Sequence, residues 1–454
     1  MRRTFALVAL AVASLAAAAV AALLRPIAKP LPAEQRVGSL RFSTQLDRRY
    51  LPDSRATEAY LEIDLTAGGD RSKARRVPVN AVMILDRSGS MQGPKMERAR
   101  DAARALVEAL GEGDQLAIVE FSSDASVLLP STPMSRATRA LALAAIERLD
   151  ATGGTNMSAA FDAAAPELMR GRDPARVDKV FLASDGQANE GISDRPGLLR
   201  VAQRDFGGAT VSTFGMGEDY DEDLMSALAA QAGGRARYIQ SPQVLPAAFR
   251  DELSRAAALA ARDVRIRVRG LAGAAVERVL GYEFVQNAQD AEWVRLPDFA
   301  AGEERRVLVK LSIPPGHGPT DLASVELRFE DASGEERRAQ AAAQATFTLD
   351  ARLLALAPGA AAVEGAKAEM AQLATAAAVL REAGRRDEAR QQVEELKRVA
   401  MRAAAAVPAQ ARLVSEQAHD YAIEVDTIDA PGGAASKALK QKAFDAVRAP
   451  VAGW

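Results

Sequence analysis

Asp86-Arg87-Ser88-Gly89-Ser90 follows directly on the apolar run Ala81-Val82-Met83-Ile84-Leu85, so a D-x-S-x-S triplet sits on the turn leaving a buried strand. Two distant segments supply matching chemistry. Gly153-Gly154-Thr155-Asn156 offers a hydroxyl on a glycine-rich turn, and Ser184-Asp185-Gly186 offers a second carboxylate just after the apolar strand Val180 to Ala183. Asp86, Ser88, Ser90, Thr155 and Asp185 together read as the oxygen ligands of one divalent cation.

Magnesium takes about six oxygen ligands at roughly 2.0 to 2.1 Å and gives up its waters reluctantly, so compact hydroxyls suit it. Ser88, Ser90 and Thr155 can ligate directly. With Asp86 and Asp185 acting through waters or hydrogen bonds, the ion keeps net positive character and an open position that attracts an external carboxylate. The donor set also admits manganese or calcium. In the competing reading, Asp and Ser after a strand merely cap the next helix, and the site is a retained but vacant motif. The motif is expected on exposed turns contributing little core, with Ser123 nearby on a different turn.

The elements that must position these residues alternate. Strands are predicted at Ala81 to Leu85, Gln115 to Phe121, Ser126 to Leu129, Lys179 to Ala183, Thr210 to Gly215 and Arg237 to Ile239, with helices beginning near Met96, Thr138, Met157, Pro196, Asp221 and Leu245. In the first helix Ala99, Ala102, Ala103, Leu106, Val107 and Leu110 form one apolar stripe. The pattern predicts an α/β fold with a doubly wound, mostly parallel sheet, and the cation site falls at the carboxyl ends of its strands, where such folds bind ligands. Glu218-Asp219-Tyr220-Asp221-Glu222-Asp223 has oxygens enough for calcium. It lacks the spacing and turning glycine of an EF-hand loop, and reads better as acids at a helix start.

Here the chain resembles the von Willebrand factor A domain, whose metal-ion-dependent adhesion site is D-x-S-x-S plus a distant Thr and a distant Asp. All five positions are filled, by Asp86, Ser88, Ser90, Thr155 and Asp185. The resemblance spans about residues 76 to 255 and includes Gly113 to Phe121, similar to the family's second strand. It implies binding of protein partners through the metal, with a Glu or Asp of the partner completing the coordination shell.

Composition narrows the alternatives. Within 454 residues, 58 basic side chains are spread among 60 acidic ones for a net charge of −2, so no basic field suggests nucleic acid. The absence of cysteine removes disulfides, thiolate metal sites and cysteine nucleophiles together. Only His317 and His419 are present, which leaves no histidine-rich zinc or copper centre and reads as two surface or loop residues.

Residues 1–24 read as a signal peptide or N-terminal anchor: Arg2 and Arg3 precede the uncharged, Ala-rich run Phe5 to Leu24, long enough either to be cleaved near Ala19-Val20-Ala21 or to span a membrane. Arg2-Arg3-Thr4-Phe5 also faintly resembles a twin-arginine export signal. Residues 25–37 form a proline-rich linker. Residues 38–75 and 256–350 carry alternating strand patterns, among them Leu40 to Ser43, Ala59 to Leu65, Val264 to Val268, Val307 to Ile313, Ser324 to Phe329 and Ala345 to Leu349. We expect both segments to form one β-sandwich, with the α/β unit of residues 76–255 inserted between them. Exported bacterial A-domain proteins look similar, as more distantly do the inter-alpha-trypsin inhibitor heavy chains. Residues 351–428 are helical, with a hairpin expected from Val363 to Ala383 and Arg386 to Ala406 about Gly384. Leu380 to Ala389 resembles the turn of a tetratricopeptide repeat, but one copy makes no solenoid. Residues 429–454, from about Pro431-Gly432-Gly433, read as a mobile tail.

Three function classes follow. The first is a metal-dependent protein-binding module for adhesion or assembly, exported to the periplasm or cell exterior, or anchored in the inner membrane facing outward. The second is a scaffold with a vacant site. The third is a magnesium-dependent hydrolase or phosphotransferase, against which Asp86 lacks the second aspartate of a D-x-D motif, and neither a G-x-S-x-G elbow nor a G-x-x-x-x-G-K-[ST] loop occurs. The sequence therefore predicts binding without catalysis.

Overall fold

The computed structural model describes residues 34–70, 76–185, 188–216, 220–239, 242–282, 293–356 and 360–428, then 435–436, 438–440 and 442–443. The expected signal or anchor at 1–24 lies outside these residues, as do most of the linker, Glu218 and Asp219 of the acidic cluster, and Pro431 to Gly433. Among the described residues no helix is long and apolar enough to cross a membrane.

The first strands, β1 (Gln35–Val37), β2 (Leu40–Leu46), β3 (Tyr50–Pro52) and β4 (Thr57–Ala67), precede the α/β unit. That unit follows as β5 (Val79–Asp86), α1 (Pro94–Ala109), β6 (Gln115–Phe121), β7 (Ala125–Pro133), α2 (Arg136–Ile146), α3 (Met157–Gly171), β8 (Val177–Ser184), α4 (Arg195–Phe206), β9 (Thr210–Met216), α5 (Glu222–Gln231), β10 (Ala236–Ile239) and α6 (Leu245–Ala257). Its sheet runs β10-β9-β8-β5-β6-β7, parallel throughout except for β7 at one edge. All eight residues of β5 are buried, as expected of a central parallel strand covered on both faces. Val79, Ala81, Met83 and Leu85 pack on the α1 and α6 side, and Val82 and Ile84 on the side of α3, α4 and α5. The expected α/β class and doubly wound sheet are therefore present.

The remaining strands are β11 (Leu259–Gly270), β12 (Ala275–Val279), β13 (Val294–Arg295), β14 (Phe299–Ala300), β15 (Glu304–Ile313), β16 (Gly318–Asp331) and β17 (Glu336–Thr348). Early and late strands share sheets. One sheet runs β1-β2-β4-β15-β12, with β4 and β15 antiparallel over ten residue pairs. The other runs β13-β11-β16-β17-β3, with β3 parallel to β17. Their facing sides fuse into one core, where Phe42, Leu61 and Ile63 join Val309, Ile266, Val325 and Phe329. The α/β unit leaves and returns at one point, for the Val77 amide donates to the Ala257 carbonyl at 2.8 Å.

A short helix α7 (Ala351–Leu354) leads to α8 (Ala360–Glu382), α9 (Arg386–Ala406) and α10 (Ala411–Asp426). The expected hairpin is α8 and α9, turning at Gly384 with φ 74°. A third helix, α10, completes its core through Val414, Ala418, Tyr421 and Val425. This bundle docks on the outer face of the first sheet, where Tyr60 Oη donates to Glu369 at 2.6 Å and Lys310 pairs with the same carboxylate at 2.9 Å. The described part of the expected tail is not loose: Leu439 and Ala443 are buried in the helical core, and Lys440 pairs with Glu222 and Glu382.

Candidate metal centre

Strand order reverses at β5 and β8, since the chain proceeds from β5 to β6 and β7 on one side and from β8 to β9 and β10 on the other. Such a switch point opens a crevice at the carboxyl ends of the strands. The register pairs Leu85 with Ala183, which brings Asp86 and Ser184 side by side at that end. Ser184 Oγ donates to Asp86 Oδ2 at 2.5 Å, and the Ser88 amide donates to Asp86 Oδ1 at 2.8 Å. Both carboxylate oxygens are thus engaged by neighbouring donors. Burial pushes the Asp86 carboxyl up to about 6, opposed by the hydrogen bonds from Ser184 and Ser88.

A chain of hydroxyls connects this strand end to the next. Ser88 Oγ lies 3.1 Å from Ser90 Oγ, and Ser90 Oγ donates to Asp185 Oδ1 at 2.8 Å. The other Asp185 oxygen accepts from the Lys95 ammonium. Arg87 turns away to Glu120 at 3.3 Å.

The third segment is clamped onto the first by its backbone. The Gly89 amide donates to the Gly153 carbonyl at 3.0 Å, and the Thr152 amide to the Arg87 carbonyl at 2.7 Å, so the turn carrying Thr155 lies against the turn carrying Ser88 and Ser90. Gly153 has φ 80°, a left-handed conformation that favours glycine. The Thr155 amide donates to Asn189 Oδ1 at 2.9 Å, tying this turn to the loop after Asp185. All five predicted residues therefore belong to three adjoining segments at the carboxyl end of the sheet.

One expectation needs correction. Asp86, Ser88, Thr155 and Asp185 are buried, and only Ser90 opens to solvent, so the motif is not a set of exposed turns. Burial follows because the turn of residues 152–155 packs against the turn carrying Ser88 and Ser90. Ser123 is nearby on a different turn, between β6 and β7, as expected, and it also touches the site's frame: its hydroxyl accepts from the Gly154 amide at 2.8 Å and donates to Glu190 Oε1 at 3.1 Å. It braces the Thr155 turn. In the acidic cluster, Asp221 accepts from the Leu224 amide at 2.9 Å and caps α5, which is the helix-start reading. His317 and His419 are both exposed.

The sequence reading also passed over Lys95. Nothing in its spacing marked it as part of the site; only the fold brings the first turn of α1 to Asp185.

The donor set suits a hard cation, with two carboxylates and three hydroxyls and no softer ligand. Among the described residues no group of three or more His, Cys, Asp or Glu side chains could hold a metal. Cation chemistry here would thus rest on hydroxyls as much as on carboxylates.

The von Willebrand factor type A domain profile matches residues 81–187, the stretch that holds all five of these side chains. The uncharacterized protein sll0103 of Synechocystis is 30% identical over 292 residues, which are 62% of this chain and 68% of that protein. The chain belongs to the von Willebrand factor type A domain family. Human inter-alpha-trypsin inhibitor heavy chain H4 is 29% identical over 170 residues, 36% of this chain and 18% of that protein. Among solved structures, a von Willebrand factor type A protein from Catenulispora acidiphila superposes with a TM-score of 0.63 at 22% identity, covering 84% of this chain and 91% of that one. That likeness extends the shared fold well past the α/β unit. Type A domains generally mediate protein–protein interaction.

Proposed function

We propose that this protein is a metal-dependent protein-binding module of the cell envelope, acting in adhesion or assembly. A divalent cation, magnesium or alternatively manganese or calcium, is held by Asp86, Ser88, Ser90, Thr155 and Asp185. A Glu or Asp exposed on a protein partner completes its shell. The observation that carries this reading is the hydroxyl chain from Ser88 through Ser90 to Asp185, beside an Asp86 whose oxygens are already engaged. Three neutral hydroxyls leave an ion electrophilic, so its open position favours an anionic oxygen over water. The same engagement argues for binding without turnover, because a general base needs a free proton acceptor and these aspartates are committed. Envelope location rests on Arg2 and Arg3 ahead of the apolar run Phe5 to Leu24, through which the chain is exported or anchored.

The test uses the full chain. Calorimetric titration with magnesium is expected to give one site, weakened by Asp86→Ala or Asp185→Ala and less so by Thr155→Ala, whose neutral oxygen water can replace. A protein captured from envelope extract with magnesium, but not with chelator or with Asp86→Ala, supports the binding role. Equal metal affinity in all variants overturns the site. Magnesium-dependent hydrolysis of a phosphoester or peptide, abolished by Asp86→Ala, replaces the module with an enzyme.

A further inference from the structure

Lys95 stands where helix electrostatics disfavours it. It is the second residue of α1, after Pro94 and the Gly93 cap, and cations at a helix N-terminus oppose the helix dipole. Its ammonium nevertheless reaches in from a side chain 27% exposed to a carboxylate with no exposure at all. Asp185 thereby divides its two oxygens, one for the Ser90 hydroxyl and one for Lys95. No other cationic side chain pairs with Asp86 or Asp185 among the described residues.

We propose that Lys95 is a fixed third charge of the metal centre, which lowers its cation affinity and raises its selectivity for an anionic partner group. The inference rests on the metal-site reading above. Asp86 and Asp185 alone would neutralise a divalent ion. With Lys95 beside them the loaded site carries one net positive charge, so a carboxylate arriving at the open position meets a long-range attraction added to the short-range pull of the electrophilic ion. The same charge repels the incoming cation. Before the ion binds, Lys95 compensates the buried Asp185 carboxylate, which otherwise stands uncompensated.

The experiment compares wild-type full chain with Lys95→Met and Lys95→Arg. In calorimetry with magnesium or manganese alone, Lys95→Met is expected to bind about tenfold more tightly, the size of a solvent-screened repulsion between charges of +1 and +2, and Lys95→Arg to bind like wild type. In chelator, Lys95→Met unfolds at a lower temperature than wild type, and saturating metal closes that gap. Acetate, the simplest carboxylate, displaces manganese-bound water from wild type at a several-fold lower concentration than from Lys95→Met, read by water proton relaxation. Unchanged metal affinity in Lys95→Met overturns the inference while the site stands. A merely structural lysine would give that result, with a loss of stability that metal does not repair. Equal acetate sensitivity overturns the selectivity. A wild type that binds no divalent cation overturns the metal-site reading itself.

Discussion

Replacing Asp86 by Asn separates what the site needs for a cation from what the fold needs for itself. The carboxyl is buried and pushed from its ordinary 3.8 to about 6. Between those values the folded chain holds a proton that the unfolded chain has released, so stability is lost as pH rises through about 4 to 6, and the full cost persists above the folded value. At about 1.36 kcal/mol per unit, that cost approaches roughly 3 kcal/mol near neutral pH. Asparagine escapes it. Its amide oxygen can accept from the Ser88 amide and its NH2 can donate to Ser184 Oγ, which replaces both hydrogen bonds seen at Asp86. In chelator at about pH 7.5, urea unfolding is therefore expected to find Asp86→Asn more stable than wild type, by up to about 3 kcal/mol, with the difference shrinking toward about pH 4. On the proposed function, millimolar magnesium should reverse the order, because the wild-type carboxylate would gain binding energy that asparagine does not. An asparagine variant no more stable than wild type at neutral pH in chelator, or a difference that ignores pH, would refute the reasoning.

Two further outcomes concern the frame of the site. Burial alone would raise the Glu252 carboxyl, but Lys179, Arg235, Arg237 and Arg255 overcome that and hold it low, so Glu252→Gln should cost about 3 to 5 kcal/mol by chemical denaturation, with magnesium affinity of the folded fraction unchanged. Because that carboxyl is depressed, the stability it gives is present above its unfolded value of about 4.5 and is lost on acidification below it, opposite in sign to Asp86. A Cβ on Gly365 would lie 2.5 Å from the Tyr60 ring, so Gly365→Val should loosen the helical bundle from the sheet, seen as proteolysis within residues 350–430 before the α/β unit is cut.

The meeting of Asp86, Ser88, Ser90 and Asp185 was legible in the sequence because these short polar residues end or closely follow two strands buried on both faces, Val79–Asp86 and Val177–Ser184. Strand ends fix such residues in space. The insertion of the α/β unit was legible too, since alternating strands on both sides of it could not join a parallel sheet. Other features had no local signature. Lys95 and Ser123 act through contacts that only tertiary folding makes, and a first-turn lysine or a loop serine looks ordinary in sequence. Strand β17 extends from Glu336, whereas its apolar alternation marks only Ala345 onward, because Ala339, Ala341 and Ala343 alternate with glutamine or further alanine. Helix α10 follows a short turn at Pro408–Gln410 and is needed to close the Ala-rich faces of α8 and α9, which large side chains do not fill.

The hydrogen bond between Val77 and Ala257 has a consequence for the growing chain. Strand β4 leaves the ribosome long before its partner β15, with the whole α/β unit between them; at about 5–20 residues per second the delay is on the order of 10–50 s. Throughout it β1, β2 and β4 form at most a small sheet with an open edge, and such an edge invites pairing with other chains. When the α/β unit folds in that interval it draws residues 77 and 257 together, and the remote pairing of β4 with β15 becomes a much shorter loop closure. Substitutions that slow folding of the α/β unit should therefore surface first as aggregation of nascent chains through β4, before any defect in the finished site is felt.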